Sequence, residues 1–135
     1  SPCKRTAFAM PVVNNTTLPK FAIPGLEHQT LAGPEHGMKT LEMWMQTIAP
    51  GAGTPVHRHA CEEAIVILRG SGQITIEGVT TSFGPNSTLQ IPADVIHQII
   101  NTGTEDMFLV AALGQAPVRV CTAGNQHMPL PWQAA

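Results

Sequence analysis

Apolar and polar residues alternate in short runs broken by Gly and Pro, and no helical period persists for three turns anywhere. In residues 38–48, Leu41, Met43 and Met45 share one parity while Glu42, Trp44 and Gln46 share the other, which predicts a strand. Pro50-Gly51-Ala52-Gly53 predicts a turn. The β-rich run 64–68 ends in Arg69-Gly70-Ser71-Gly72, a hairpin signal. Further strands are predicted over 73–77, 80–83, 87–91, 95–100, 107–113 and 118–122. Strands at this spacing, joined by Gly/Pro turns, indicate an all-β barrel or sandwich. Residues 1–37 read as irregular, since Pro2, Pro11, Pro19, Pro24 and Pro34 exclude long helices, and 123–135 read as a loop. The expected organisation is one domain over 1–135, with its barrel at about 38–122.

Composition narrows the classes. Hydrophobic residues make up 43% and charged residues 12% of the 135, too few charges for a disordered chain. The net charge is −2 and no basic run exists, so nucleic-acid binding is set aside. The longest uncharged stretch, 78–93, is rich in Thr, Ser, Gly and Pro, which argues against membrane insertion. The chain opens at Ser1 with neither Met nor an apolar leader, as a trimmed mature product would. Cys3, Cys61 and Cys121 are an odd set, leaving at least one thiol unpaired within a monomer. Sequons at Asn14, Asn15 and Asn86 would make this a glycoprotein on a secretory route.

The candidate chemistry lies at His57, His59 and Glu63. Residues i and i+2 of a strand share a face, so His57 and His59 can grip one ion if 56–60 is extended. Glu63 follows a short corner and can supply an oxygen. The remaining ligand must come from a distant strand, and His97 stands in the apolar run Val95-Ile96-x-Gln98-Ile99-Ile100. The plainer alternative is a polar loop plus one hydrogen-bonded core histidine. His28, His36 and His127 stand alone among turn residues and are set aside as ligands.

Gly51, His57, His59, Glu63 and Gly70 fit the first cupin motif, G-x5-H-x-H-x3-E-x6-G, without departure. The second, G-x5-P-x-G-x2-H-x3-N, is met at Pro92, His97 and Asn101, with Asn86 and Asp94 in place of its glycines. Both replacements tolerate left-handed backbone. The chain thus resembles the cupin superfamily, which implies a double-stranded β-helix, or jelly-roll antiparallel β-barrel, with one divalent metal on His57, His59, Glu63 and His97. Within it, Gly25-Leu26-x-His28, His36-Gly37-Met38-Lys39, Trp44-x-Gln46-Thr47-Ile48 and Thr54-Pro55-x-His57-Arg58-His59-x-Cys61-Glu62-Glu63 resemble the plant auxin-binding protein family over roughly residues 23–122.

That resemblance implies a receptor-like homodimer of the endoplasmic-reticulum lumen or extracellular space. Its zinc takes the carboxylate of auxin, indole-3-acetic acid, and an apolar pocket takes the ring. Gln46, Thr54 and Pro55 match pocket positions, Ile23 and Leu26 match its apolar N-terminal residues, and Val120 stands where the family has a larger branched residue. Trp132 is the sole candidate for the ring-stacking role, with Leu130 at the partner position. Trp132 follows Met128-Pro129 more closely than in the family, which predicts that it falls short of the site. The family's C-terminal cysteine and retention tetrapeptide are absent, so Cys3 loses its usual mate, and Cys61 is implied to be a buried free thiol. The alternative is a cupin oxidase, dioxygenase or decarboxylase on Mn or Fe, acting on a small organic acid. Imidazole and carboxylate suit all three metals. The lack of a second carboxylate for proton transfer favours binding without catalysis. A third reading gives the metal only a bracing role.

Overall fold

The computed structural model describes residues 11–133; Cys3 lies outside them. Eleven strands are formed among the described residues: β1 (Phe21–Ile23), β2 (Leu26–Ala32), β3 (Glu42–Ile48), β4 (Arg58–His59), β5 (Glu63–Arg69), β6 (Gly72–Ile76), β7 (Val79–Phe83), β8 (Ser87–Ile91), β9 (His97–Asn101), β10 (Met107–Leu113) and β11 (Val120–Cys121). One antiparallel sheet runs β1-β2-β3-β10-β5-β8. The other is made of β7-β6-β9 and the pair β11-β4. Bridges Gly53↔Ile100 and His57↔His97 join those two pieces, so 53–57 runs beside β9. The all-β expectation stands, in jelly-roll form.

The N-terminal segment departs from expectation. Prolines do exclude long helices there, but β1 and β2 form a hairpin around Pro24-Gly25, with Gly25 at φ 74°. Leu26 and His28 of β2 are buried while Glu27 is exposed. That alternation was hidden because a histidine holds an inward position. The same reversal occurs in β3, where Glu42, Trp44, Gln46 and Ile48 are buried and Met43, Met45 and Thr47 are half-buried. The polar-looking parity faces in.

Ile65, Ile67, Leu109, Leu113, Ile74, Ile91 and Ile99 fill the space between the sheets. Burying each contributes about 1.5–3 kcal/mol. Asn101 is fully buried and anchors the 48–53 and 101–105 turns. Its Nδ2 donates to the Ile48 and Glu105 carbonyls at 2.8 and 2.9 Å, and its Oδ1 accepts from Gly103 N at 2.9 Å. Glu77 and Gly78, at φ 49° and 80°, make the two-residue β6–β7 turn in the left-handed conformations that match strand twist.

Asn86 and Asp94, the two replacements in the second motif, both adopt the glycine conformation, at φ 61° and 64°. The Asp94 turn docks on the site strand, since its N–H donates to the His59 carbonyl at 2.9 Å. Asp94→Ala should therefore lower the free energy of unfolding by about 1 kcal/mol. Asp94→Gly should leave it within about 0.5 kcal/mol. Urea unfolding of the three proteins tests this, and equal loss in both variants would rule the backbone explanation out.

Candidate metal centre and adjoining cavity

Backbone pairing sets the cluster. His57 N donates to the His97 carbonyl at 3.1 Å and His97 N to the His57 carbonyl at 2.8 Å, so the two imidazoles leave adjacent strands side by side. His59 follows in β4. Glu63 opens β5, flanked by Ile91 of β8 and Leu113 of β10. Candidate ligand atoms of His57, His59 and His97 all lie within 4.8 Å of one another. Glu63 Oε1 is 3.1 Å from His59 Nε2 and 3.6 Å from His97 Nε2. Glu62 faces solvent.

The hydrogen bonds behind the rings fix their chemistry. Each Nδ1 meets a backbone carbonyl two residues away: His57 on Pro55 at 2.6 Å, His59 on Cys61 at 2.8 Å, and His97 on Val95 at 2.9 Å. A carbonyl only accepts, so each Nδ1 carries a proton; the Nε2 lone pairs of His57 and His97 are presented to the cluster, while His59 Nε2 meets Glu63 Oε1 at 3.1 Å. Such outer contacts orient metal-binding imidazoles. His97 Nε2 is buried without a hydrogen-bond partner. An orphaned buried nitrogen among imidazoles and a carboxylate fits a cation, and the three histidines can hold a metal ion.

Electrostatics agrees. Burial, and then His97, lowers the His57 imidazole to about 4, so it is neutral at pH 7. Burial opposes charge on His59, but its hydrogen bonds to Cys61 and Glu63 and the Glu63 charge outweigh this and raise it to about 10. Burial likewise opposes the Glu63 charge, yet the hydrogen bond from His59 and the nearby imidazoles of His59 and His97 hold the carboxyl well below the usual range. A bound cation would take the place of the His59 proton.

The cluster floors a cavity lined by His57, Glu63 and His97. Ile23, Leu26, Gln46, Thr54, Pro55, Val120 and Trp132, all singled out from sequence, line the same cavity. Trp44, Ile65, Ile99, Met128 and Leu130 complete it. Thr54 is tied to β9: its Oγ1 accepts from Ile99 N at 3.0 Å and its carbonyl from Gln98 Nε2 at 3.0 Å.

Trp132 reaches the cavity despite the short tail, correcting the expectation that it falls short. The Gln133 amide on the Val118 carbonyl holds the tail in place. About 50 Å³ of the cavity is open to water centres, enough for a few waters. Beyond Trp132 lies a second cleft with about 180 Å³ of such room, bordered by Thr30, His36 and Arg119.

Sequence reasoning missed His28, which lies in a strand and is fully buried. Its ring stacks on Trp132, centroids 3.6 Å apart and planes at 11°, and meets the edge of Trp44 at 5.1 Å. The missed signal was its i+2 spacing from Leu26 and Thr30. His36 and His127 are exposed. Glu42 was also missed as a buried carboxylate, accepting from Trp44 Nε1 at 2.9 Å and Val118 N at 2.7 Å. Cys61 is free and buried, as the resemblance implied.

Burial lowers the His28 imidazole from 6.5 to about 3. The unfolded chain then takes up a proton that the fold refuses, so this contribution is full above pH 6.5 and erodes as pH falls towards 3. His57 acts in the same direction down to about 4, whereas the His59 contribution is lost only as pH rises towards 10. In metal-stripped protein, His28→Gln should make stability versus pH between about 6 and 4 shallower by up to about 1.4 kcal/mol per pH unit. Parallel urea-unfolding profiles for the two proteins would contradict this.

The profile of the auxin binding protein family matches residues 3–134. Auxin-binding protein 1 of Arabidopsis thaliana is 39% identical over 133 residues, covering 89% of this chain and 67% of that protein. Auxin-binding protein T85 of Nicotiana tabacum is 39% identical over 135 residues, covering 89% and 72%. A solved RmlC-like cupin from Shewanella frigidimarina superposes with a TM-score of 0.70 at 17% identity, over 82% of this chain and 95% of its own. On a cupin fold, therefore, this chain belongs to the auxin-binding protein family.

Proposed function

We propose that the protein binds a small aromatic carboxylate, foremost auxin, with the carboxylate on one divalent metal ion held by His57, His59, Glu63 and His97. The observation that carries this reading is a shared space: bare imidazole nitrogens floor the apolar cavity whose walls include Trp44 and Trp132. Three neutral imidazoles and one carboxylate leave a divalent ion near +1, and the low-dielectric surroundings strengthen its attraction for an acid. Zinc is the leading metal, with Mn and Fe as alternatives. Among the described residues, Glu63 is the sole carboxylate lining the cavity, and Glu42 is committed to Trp44 and Val118, which favours binding over catalysis.

Calorimetry with naphthalene-1-acetic acid at mildly acidic pH, with elemental analysis, tests this. Saturable heat is expected in metal-loaded protein and none after chelation. His97→Ala should weaken metal affinity at least about tenfold and remove the heat with it. No heat from loaded protein would refute auxin-like binding, and Mn or Fe with turnover of a small organic acid would install the cupin-enzyme reading.

The proposal extends to a homodimer in the secretory pathway, in the endoplasmic-reticulum lumen or outside the cell. Asn14, Asn15 and Asn86 are exposed, and Leu41, Val66 and Leu68 are exposed apolar residues suited to an interface. Sedimentation should give twice the chain mass, and endoglycosidase should reduce the mass of protein from a secreting host. A monomer, or an unchanged mass, would remove the corresponding part.

A further inference from the structure

Glu42 is 2% exposed, and among the described residues no cationic side chain pairs with it. A carboxylate buried in this way is expensive unless donors meet both of its oxygens. Here they do: Oε1 accepts from Trp44 Nε1 at 2.9 Å and Oε2 from Val118 N at 2.7 Å. Both facing groups can only donate, so the position needs two acceptors. A glutamine amide would set its NH2 against one of them, donor against donor.

The two donors lead to the two aromatic parts of the cavity wall. Trp44 lines the cavity itself. Val118 leads to the tail, which hangs on 118–120 at two points. Met128 N donates to the Val120 carbonyl at 2.8 Å, and the Gln133 side-chain amide donates to the Val118 carbonyl. Met128, Leu130 and Trp132, strung between those points, line the cavity. The Val120 end of this support is held by pairing of β11 with β4. The Val118 end is held to β3 by Glu42. Trp132 depends on that hold, because its own Nε1 has no partner and the second cleft leaves room on its far side.

We propose that Glu42 is a positioning residue for the aromatic wall: one oxygen fixes Trp44, and the other fixes Trp132 through Val118 and Gln133. Glu42 thereby sets affinity for the ring of a bound acid, while the metal and the carboxylate end are untouched. The affinity part rests on the acid-binding reading above; the placing of the two indoles does not.

The test compares native protein, Glu42→Gln and Gln133→Ala as metal-loaded full chains. Acrylamide quenching of tryptophan emission reports the indoles, and calorimetry with naphthalene-1-acetic acid and with acetate reports the two ends of the ligand. In Glu42→Gln quenching should rise, naphthalene-1-acetic acid should weaken about three- to tenfold, and acetate should stay within about twofold of native. Gln133→Ala cuts only the last link and should move both readouts the same way by less, which keeps the test decisive if the first variant misfolds. Native quenching with a native ratio of the two acids in a folded variant overturns the inference and leaves acid binding standing. Equal weakening of both acids also overturns it, since that is a general structural defect. If loaded native protein binds neither acid, the acid-binding reading fails, and quenching alone decides whether Glu42 places the indoles.

Discussion

His57 and His97 exchange both backbone hydrogen bonds, and the rest of the site depends on that exchange. It joins the 53–57 segment to β9 and thereby closes the second sheet. It also brings together two imidazoles forty residues apart in sequence. Gly53 shows how tight the seam is: a Cβ there would stand 2.4 Å from the Ile99 carbonyl oxygen. Barrel closure and cluster geometry are therefore one event, and metal binding would add its free energy to that closure.

A barrel with this interior must solve a desolvation problem. His28, Glu42, Gln46, Glu63, His97 and Asn101 are all buried. Each such group is expensive unless it is partnered. Asn101 and Glu42 are satisfied by backbone N–H and carbonyl groups and by Trp44, so they act as fasteners. His28 is satisfied by Gln46 on one ring nitrogen and by Thr30 on the other. At the cluster, His97 Nε2 is left without a partner. Trp132 Nε1 in the cavity wall is likewise unpartnered, and Gln115 Oε1 is the third such atom among the described residues.

Much of this was legible in the chain. Turn residues and alternating runs marked β5 to β11 to within a residue or two, because Gly/Pro punctuation and strand period act locally. The spacing of His57, His59 and Glu63 was readable for the same reason. Asn86 and Asp94 could be expected in left-handed backbone because their side chains permit it. The β1–β2 hairpin was lost among prolines, since its inward positions include histidine and its edges are polar. The inward turn of Glu42 and Gln46 was equally hidden, because a buried polar residue is recognised only through partners distant in sequence. Trp132 was misjudged on tail length, while the hydrogen bond of Gln133 and the stack on His28 decide its place.

The chain contains two tryptophans and no tyrosine, and Trp44 and Trp132 lie 5.5 Å apart, edge to face, in the cavity wall. Near-ultraviolet emission from the whole molecule therefore originates beside the candidate site. One indole is held against a histidine ring and the other is hydrogen-bonded to a carboxylate. A change of occupant, of cluster charge or of tail position alters the surroundings of the only strong fluorophores, so the protein carries its own optical probe of the cavity.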